Sequence, residues 1–106
     1  MSIDVKGLSG MIYVFEGPYY SLDSLDEGPG VYIVLCDGEV TLMPVKIGHS
    51  MNMKETLISL LKSGKFEENC PGALKFAQLR GTDVSEKQRT KIARDISNYL
   101  KRNNQQ

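Results

Sequence analysis

Gly30-Val31-Tyr32-Ile33-Val34-Leu35-Cys36, answered after a turn and a proline by Val45-Lys46-Ile47-Gly48, decides the reading of the fold. Residues 31–36 are almost continuously apolar or aromatic, as suits a strand buried on both faces. Asp37-Gly38 is a turn signal. Residues 39–43 and 45–47 read as the returning strand, interrupted at Pro44, a residue that belongs at a sheet edge or a bulge. Together they predict a hairpin with an irregular tip.

Working outward from the hairpin, Asn52-Met53-Lys54-Glu55 has N-cap chemistry. Asn52 can accept from the amide three residues on, and Glu55 can reach back. Met53, Leu57, Leu60 and Leu61 follow at helical spacing, and Gly64 is a stop signal. Residues 65–73 read as a loop and 74–79 as a further strand. Gly81-Thr82-Asp83 turns the chain. Ser85 and Gln88 form a second capping box, opening a helix to about Lys101 with Ile92, Ile96, Tyr99 and Leu100 on one stripe. The last four residues read as a frayed tail. Towards the N-terminus, residues 11–15 are β-branched and aromatic and read as a strand ended by Glu16-Gly17-Pro18. Residues 21–27 read as a short acidic connector of about one helical turn, and Gly28-Pro29-Gly30 resets the backbone.

The fold class expected is therefore α+β: a small three-stranded antiparallel sheet, plus an extra N-terminal strand, flanked by helices. A chain of 106 residues is one domain on length, with a core over about 21–100 and a strand extension over 1–20. No apolar run approaches the roughly 20 residues of a membrane span, and Met1–Lys6 lacks the pattern of a secretory leader. Cys36 and Cys70 are too few for a disulfide framework. With no leader, both are expected as reduced thiols in a cytoplasmic protein. Two cysteines and one histidine cannot fill a tetrahedral zinc site.

Formal net charge is zero, yet residues 1–45 hold seven acids and one base, and residues 46–106 hold twelve bases and six acids. A basic face for phosphate backbones is compatible with that asymmetry. Two lysine-rich solvated helices are the plainer explanation.

The order strand, strand, helix, strand, helix, with Gly30-Val31-Tyr32 on the first strand and Lys46-Ile47-Gly48 closing the second, resembles the GIY-YIG nuclease domain. The resemblance covers roughly residues 21–100. It implies a GIY-YIG-like fold and divalent-metal-dependent cleavage of DNA, with Mg or Mn as cofactor. Tyr32 takes the place of the tyrosine that helps activate water or binds phosphate. Lys46 stands where a second tyrosine is usual, and Gly48 matches a glycine that allows close packing. The resemblance also implies a metal-holding glutamate on the later helix, for which Glu86 is the candidate; one carboxylate plus waters and phosphate oxygens is a common way to hold Mg. Counting from Gly48, the phosphate-contacting arginine falls at Thr56, which supplies no charge. Lys46 and Lys54 are candidate replacements. Lys46, Lys54 and Lys62 are the candidate nucleic-acid contacts, and His49 is a candidate proton carrier.

Each residue has a plainer role too. Tyr32 suits a half-buried strand, Lys46 an edge strand, His49 a loop before a helix, and Glu86 a first helical turn. Tyr19-Tyr20 could stack on a base or pack beneath a loop. Lys87, Arg89, Lys91, Arg94, Lys101 and Arg102 read as a solvated helix face, with phosphate tracking as the rarer use. Three functions follow: a metal-dependent endonuclease or weakly active relative, a catalytically inactive module that binds DNA or a protein partner, and a small accessory protein outside the family. No membrane partner is expected, and the oligomeric state is open.

Overall fold

The computed structural model describes residues 1–38, 41–81 and 84–103. Five strands form one antiparallel sheet: β1 (Ser2–Lys6), β2 (Ile12–Tyr19), β3 (Gly30–Asp37), β4 (Leu42–Ser50) and β5 (Leu74–Arg80), in the order β1-β2-β5-β3-β4. Among the described residues three helices accompany it: α1 (Met53–Leu61), α2 (Lys65–Glu68) and α3 (Glu86–Asn103). A single 3-10 turn occupies Leu22–Ser24, within the acidic connector. The strand, strand, helix, strand, helix order is present, but the sheet has five strands, not three plus one.

The expected hairpin forms one side of the sheet, with β3 inside and β4 at the edge. Val31, Ile33 and Val34 pair with His49, Ile47 and Lys46. The register then slips, so that Leu35 faces Pro44, on an edge strand. A proline there removes no ladder bond that the sheet needs. On its other side β3 pairs with β5 from Gly30↔Arg80 to Cys36↔Leu74, which is why residues 31–36 are apolar throughout.

Period-two alternation then divides β3 between two cores. Val31, Ile33 and Leu35 pack with Phe15, Ala77, Ala93 and Ile96 beneath α3. Tyr32 and Val34 pack with Phe76, Leu25, Met53 and Leu57 beneath α1. The sheet curls enough that both of its edge strands, β1 and β4, touch α3. Lys6 lies over the ring of Tyr99, 5.8 Å from its centre, at the β1 end of that contact.

Several expectations need correction. Ser2–Lys6 is a strand in register with β2, from Ser2↔Glu16 to Lys6↔Ile12; Ile3 and Val5 alternate inward too briefly to signal it alone. β2 does not stop at Glu16-Gly17-Pro18 but continues to Tyr19 through a register shift. Gly17 permits this with φ 118°, and a Cβ there would stand 2.8 Å from the Phe76 carbonyl oxygen. The loop expected over 65–73 begins with the short helix α2. Its N-cap, Gly64, is left-handed at φ 71°. The Asn52 cap forms, accepting from the Glu55 amide at 3.0 Å, but the Asn52 amide is taken by Ser50 Oγ, not by Glu55. The Ser85/Gln88 box is complete in both directions. Residues 39–40, most of the turn at 81–83 and tail residues 104–106 lie outside the described residues.

Cys36 and Cys70 are not thiols: they form a disulfide with Cα atoms 5.7 Å apart. The chain passes through α1 and α2 and returns to the end of β3, where the Asp37 amide donates to the Ala73 carbonyl. That return brings together two cysteines 34 positions apart. No helix among the described residues is long and apolar enough to cross a membrane.

Candidate functional site

Gly48 lies opposite Tyr32 in the ladder, and a Cβ at residue 48 would stand 2.5 Å from the Tyr32 hydroxyl. The phenol therefore lies across the glycine, only 4% exposed, and burial pushes its pKa above the ordinary value of 10.0. A phenol held neutral in this way is a poor base and a shielded phosphate ligand. Lys46 pairs with Val34, on the same face and two positions from Gly48, with its side chain in solvent. Tyr32 and Lys46 are therefore diagonal neighbours.

Thr56, at the position of the expected arginine, is hydrogen bonded to Ser50 Oγ at 2.5 Å. The depression beside it carries Glu55 and no cation. Lys54 reaches Asp23 at 3.7 Å, which offsets part of its charge. Lys62 is exposed just beyond the C-terminal end of α1.

His49 pairs with Val31, so it projects on the α3 side, where Nε2 lies 3.3 Å from Thr90 Oγ1. Glu86 opens α3 and is exposed. Because α3 packs on the face opposite Tyr32, Tyr32 and Glu86 do not line one cleft. Glu86 instead shares a shallow depression with Lys87, Thr90, Lys91 and Arg94. Three cations around one carboxylate oppose the capture of a divalent cation. Among the described residues no three His, Cys, Asp or Glu side chains gather as a metal site. These surroundings do not fit Mg or Mn at Glu86.

α3 separates its charges by face. Arg89 is buried, 4% exposed, and donates to the Val84 carbonyl at 2.7 Å and to the Met51 sulfur at 3.1 Å, with Nε unpartnered among the described residues. It pins the loop before α3 and does not belong to a solvated face. Lys87, Lys91, Arg94, Lys101 and Arg102 are exposed. At 3.6 residues per turn they fall within about 100° of the helix circumference, along about 21 Å from residue 87 to 101. None of these five is in an ion pair among the described residues. The i, i+4, i+7, i+14 spacing in the sequence carries that signal, and Arg89, at i+2, lies off the stripe.

A second feature was not legible in the sequence. The turn between β1 and β2 is latched to α3 by Asp95, whose carboxylate accepts from the Ser9 amide at 2.9 Å, Ser9 Oγ at 2.6 Å and the Tyr13 hydroxyl at 2.7 Å. The Ser9 and Tyr13 bonds hold the Asp95 pKa below its ordinary 3.8. Tyr13 is pushed up, first by burial and then by its bond to that carboxylate. Beside the latch a cleft of about 830 Å³ opens between β2 and α3.

Tyr19 packs against the α1-side core, whereas Tyr20 is 70% exposed and lies over Lys75, whose Nζ is 4.5 Å from the ring centre. Compared with known family models, curated proteins and solved structures, the chain matches none.

Proposed function

We propose that this chain is a GIY-YIG-like domain that binds nucleic acid along α3 and does not cleave it. The observation that carries the reading is the outward face of α3, where five exposed cations align and outnumber the one carboxylate beside them, Glu86. Such a row can follow a phosphate backbone, and displacing counterions drives the association. Cleavage is the less favoured reading because Tyr32 is shielded over Gly48, Thr56 brings no charge, and Glu86 sits among cations on the other side of the sheet. Removing positioned charge from phosphoryl-transfer chemistry costs orders of magnitude in rate. Lys46, Lys54 and Lys62 become secondary contacts, with Lys54 already engaged by Asp23. A bonded Cys36–Cys70 pair favours an oxidising compartment over the cytoplasm.

The test is supercoiled plasmid incubated with the protein and Mg or Mn, run beside a gel-shift assay at low salt. The expectation is a shift without nicking. Nicking that disappears in both Tyr32→Phe and Glu86→Ala would restore the metal-dependent endonuclease. Absence of any shift at low salt would redirect the search to a protein partner.

A further inference from the structure

The cleft between the β1–β2 turn and α3 shares two residues, Lys91 and Arg94, with the cationic row. Its volume of about 830 Å³ is within the range of small-ligand sites, roughly 300–1,000 Å³. Met11, Val84 and Ile92 give it apolar walls, and Asn98 adds an amide that can both donate and accept. Met11 is 59% exposed, although methionine is an apolar side chain that ordinarily packs. Asp95 also borders the cleft, but its oxygens already accept three hydrogen bonds. Lys91 and Arg94 outnumber that carboxylate and leave the cleft lining net positive. The latch also fixes the β2 wall against the helix, so the cleft is formed before anything enters it.

We propose that this cleft seats one unstacked base of a single-stranded nucleic acid whose backbone lies along α3; the inference rests on the nucleic-acid reading above. A base has a flat apolar face and a polar edge, which match the Met11/Ile92 walls and the Asn98 amide. Its phosphate falls at Lys91 and Arg94. A base in a duplex is paired and stacked, and extracting it costs a few kcal/mol, whereas a single strand presents it at little cost. The protein therefore prefers single strands, although duplex DNA has the higher charge density.

The experiment is fluorescence anisotropy with a labelled oligothymidylate and a labelled duplex of equal length, using the full chain and the double variant Met11→Ala/Asn98→Ala. Both positions are exposed, and an unchanged melting temperature will verify that the variant folds. The expected result is at least fivefold tighter binding of the single strand by the natural chain. The variant should lose that preference and keep its duplex affinity. Equal affinity for both forms, or a preference that survives in the variant, overturns the base site alone. No salt-sensitive binding of either form overturns the nucleic-acid reading and the base site with it.

Discussion

Reducing the Cys36–Cys70 bond should destabilise the domain by an amount that follows from its loop. The bond closes a loop across 34 positions. The chain-entropy relation for that length gives about 12.6 cal/mol/K, or about 3.8 kcal/mol at 25 °C. Little of this should be lost to rearrangement, because the Asp37–Ala73 hydrogen bond and the Cys36↔Leu74 pairing hold the same junction without the sulfurs. The effect therefore lies mainly in the unfolded chain. Urea unfolding with and without a phosphine reductant measures it, and Cys70→Ala serves as a second, reagent-free comparison. The reduced protein should unfold at lower urea with a steeper slope, since its unfolded state exposes more surface. A difference under about 1 kcal/mol, or an unchanged slope with a large loss of native circular dichroism, would refute the reasoning.

Three further outcomes follow from single sites. Arg89→Met should leave the melting temperature unchanged or raise it, because a buried guanidinium with no carboxylate partner among the described residues has a desolvation cost; Arg89→Ala should lower stability by about 2–4 kcal/mol through the cavity it leaves, and calorimetry of both variants separates the two effects. Gly48→Ala should cost about 1–3 kcal/mol because the new methyl meets the Tyr32 ring. Tyr32→Phe in the same chain should recover only part of that, since Cζ would still stand 2.7 Å from the methyl; full recovery in denaturant titrations would show that the hydroxyl alone makes the clash. Asp95 and Glu16 both have folded pKa values below their ordinary 3.8 and 4.5, Asp95 through Ser9 and Tyr13 and Glu16 through Arg80. Depressed folded values mean that their stabilisation is complete above the ordinary values and is lost as the pH falls through the folded ones. Melting temperature should thus hold steady from neutral pH down to about pH 5 and fall below about pH 4, with Asp95→Asn flattening the fall.

What the sequence made legible was local. The apolar run at 31–36, the Pro44 irregularity, the Asn52 and Ser85 caps and the Ile96 stripe all depend on neighbours within a few positions, and each is in place. What it hid was long-range. Ser2–Lys6 becomes a strand only because β2 is beside it, and the disulfide depends on where α2 delivers Cys70. The Asp95 latch joins residues 86 positions apart at Ser9. Tyr32, Lys46, Gly48 and Glu86 stood in a suggestive order along the chain, but order does not fix the face. Strand alternation sent Tyr32 towards α1, while Glu86 entered on the helix that covers the opposite side.

The salt dependence of duplex DNA binding tests the central claim most directly. If Lys87, Lys91, Arg94, Lys101 and Arg102 each neutralise a phosphate, log K against log salt should have a slope of about −4.5. Lys91→Ala/Arg94→Ala should reduce its magnitude by about 2 and weaken binding similarly across sequences. An identical slope in the variant, or no association at low salt, would contradict the account.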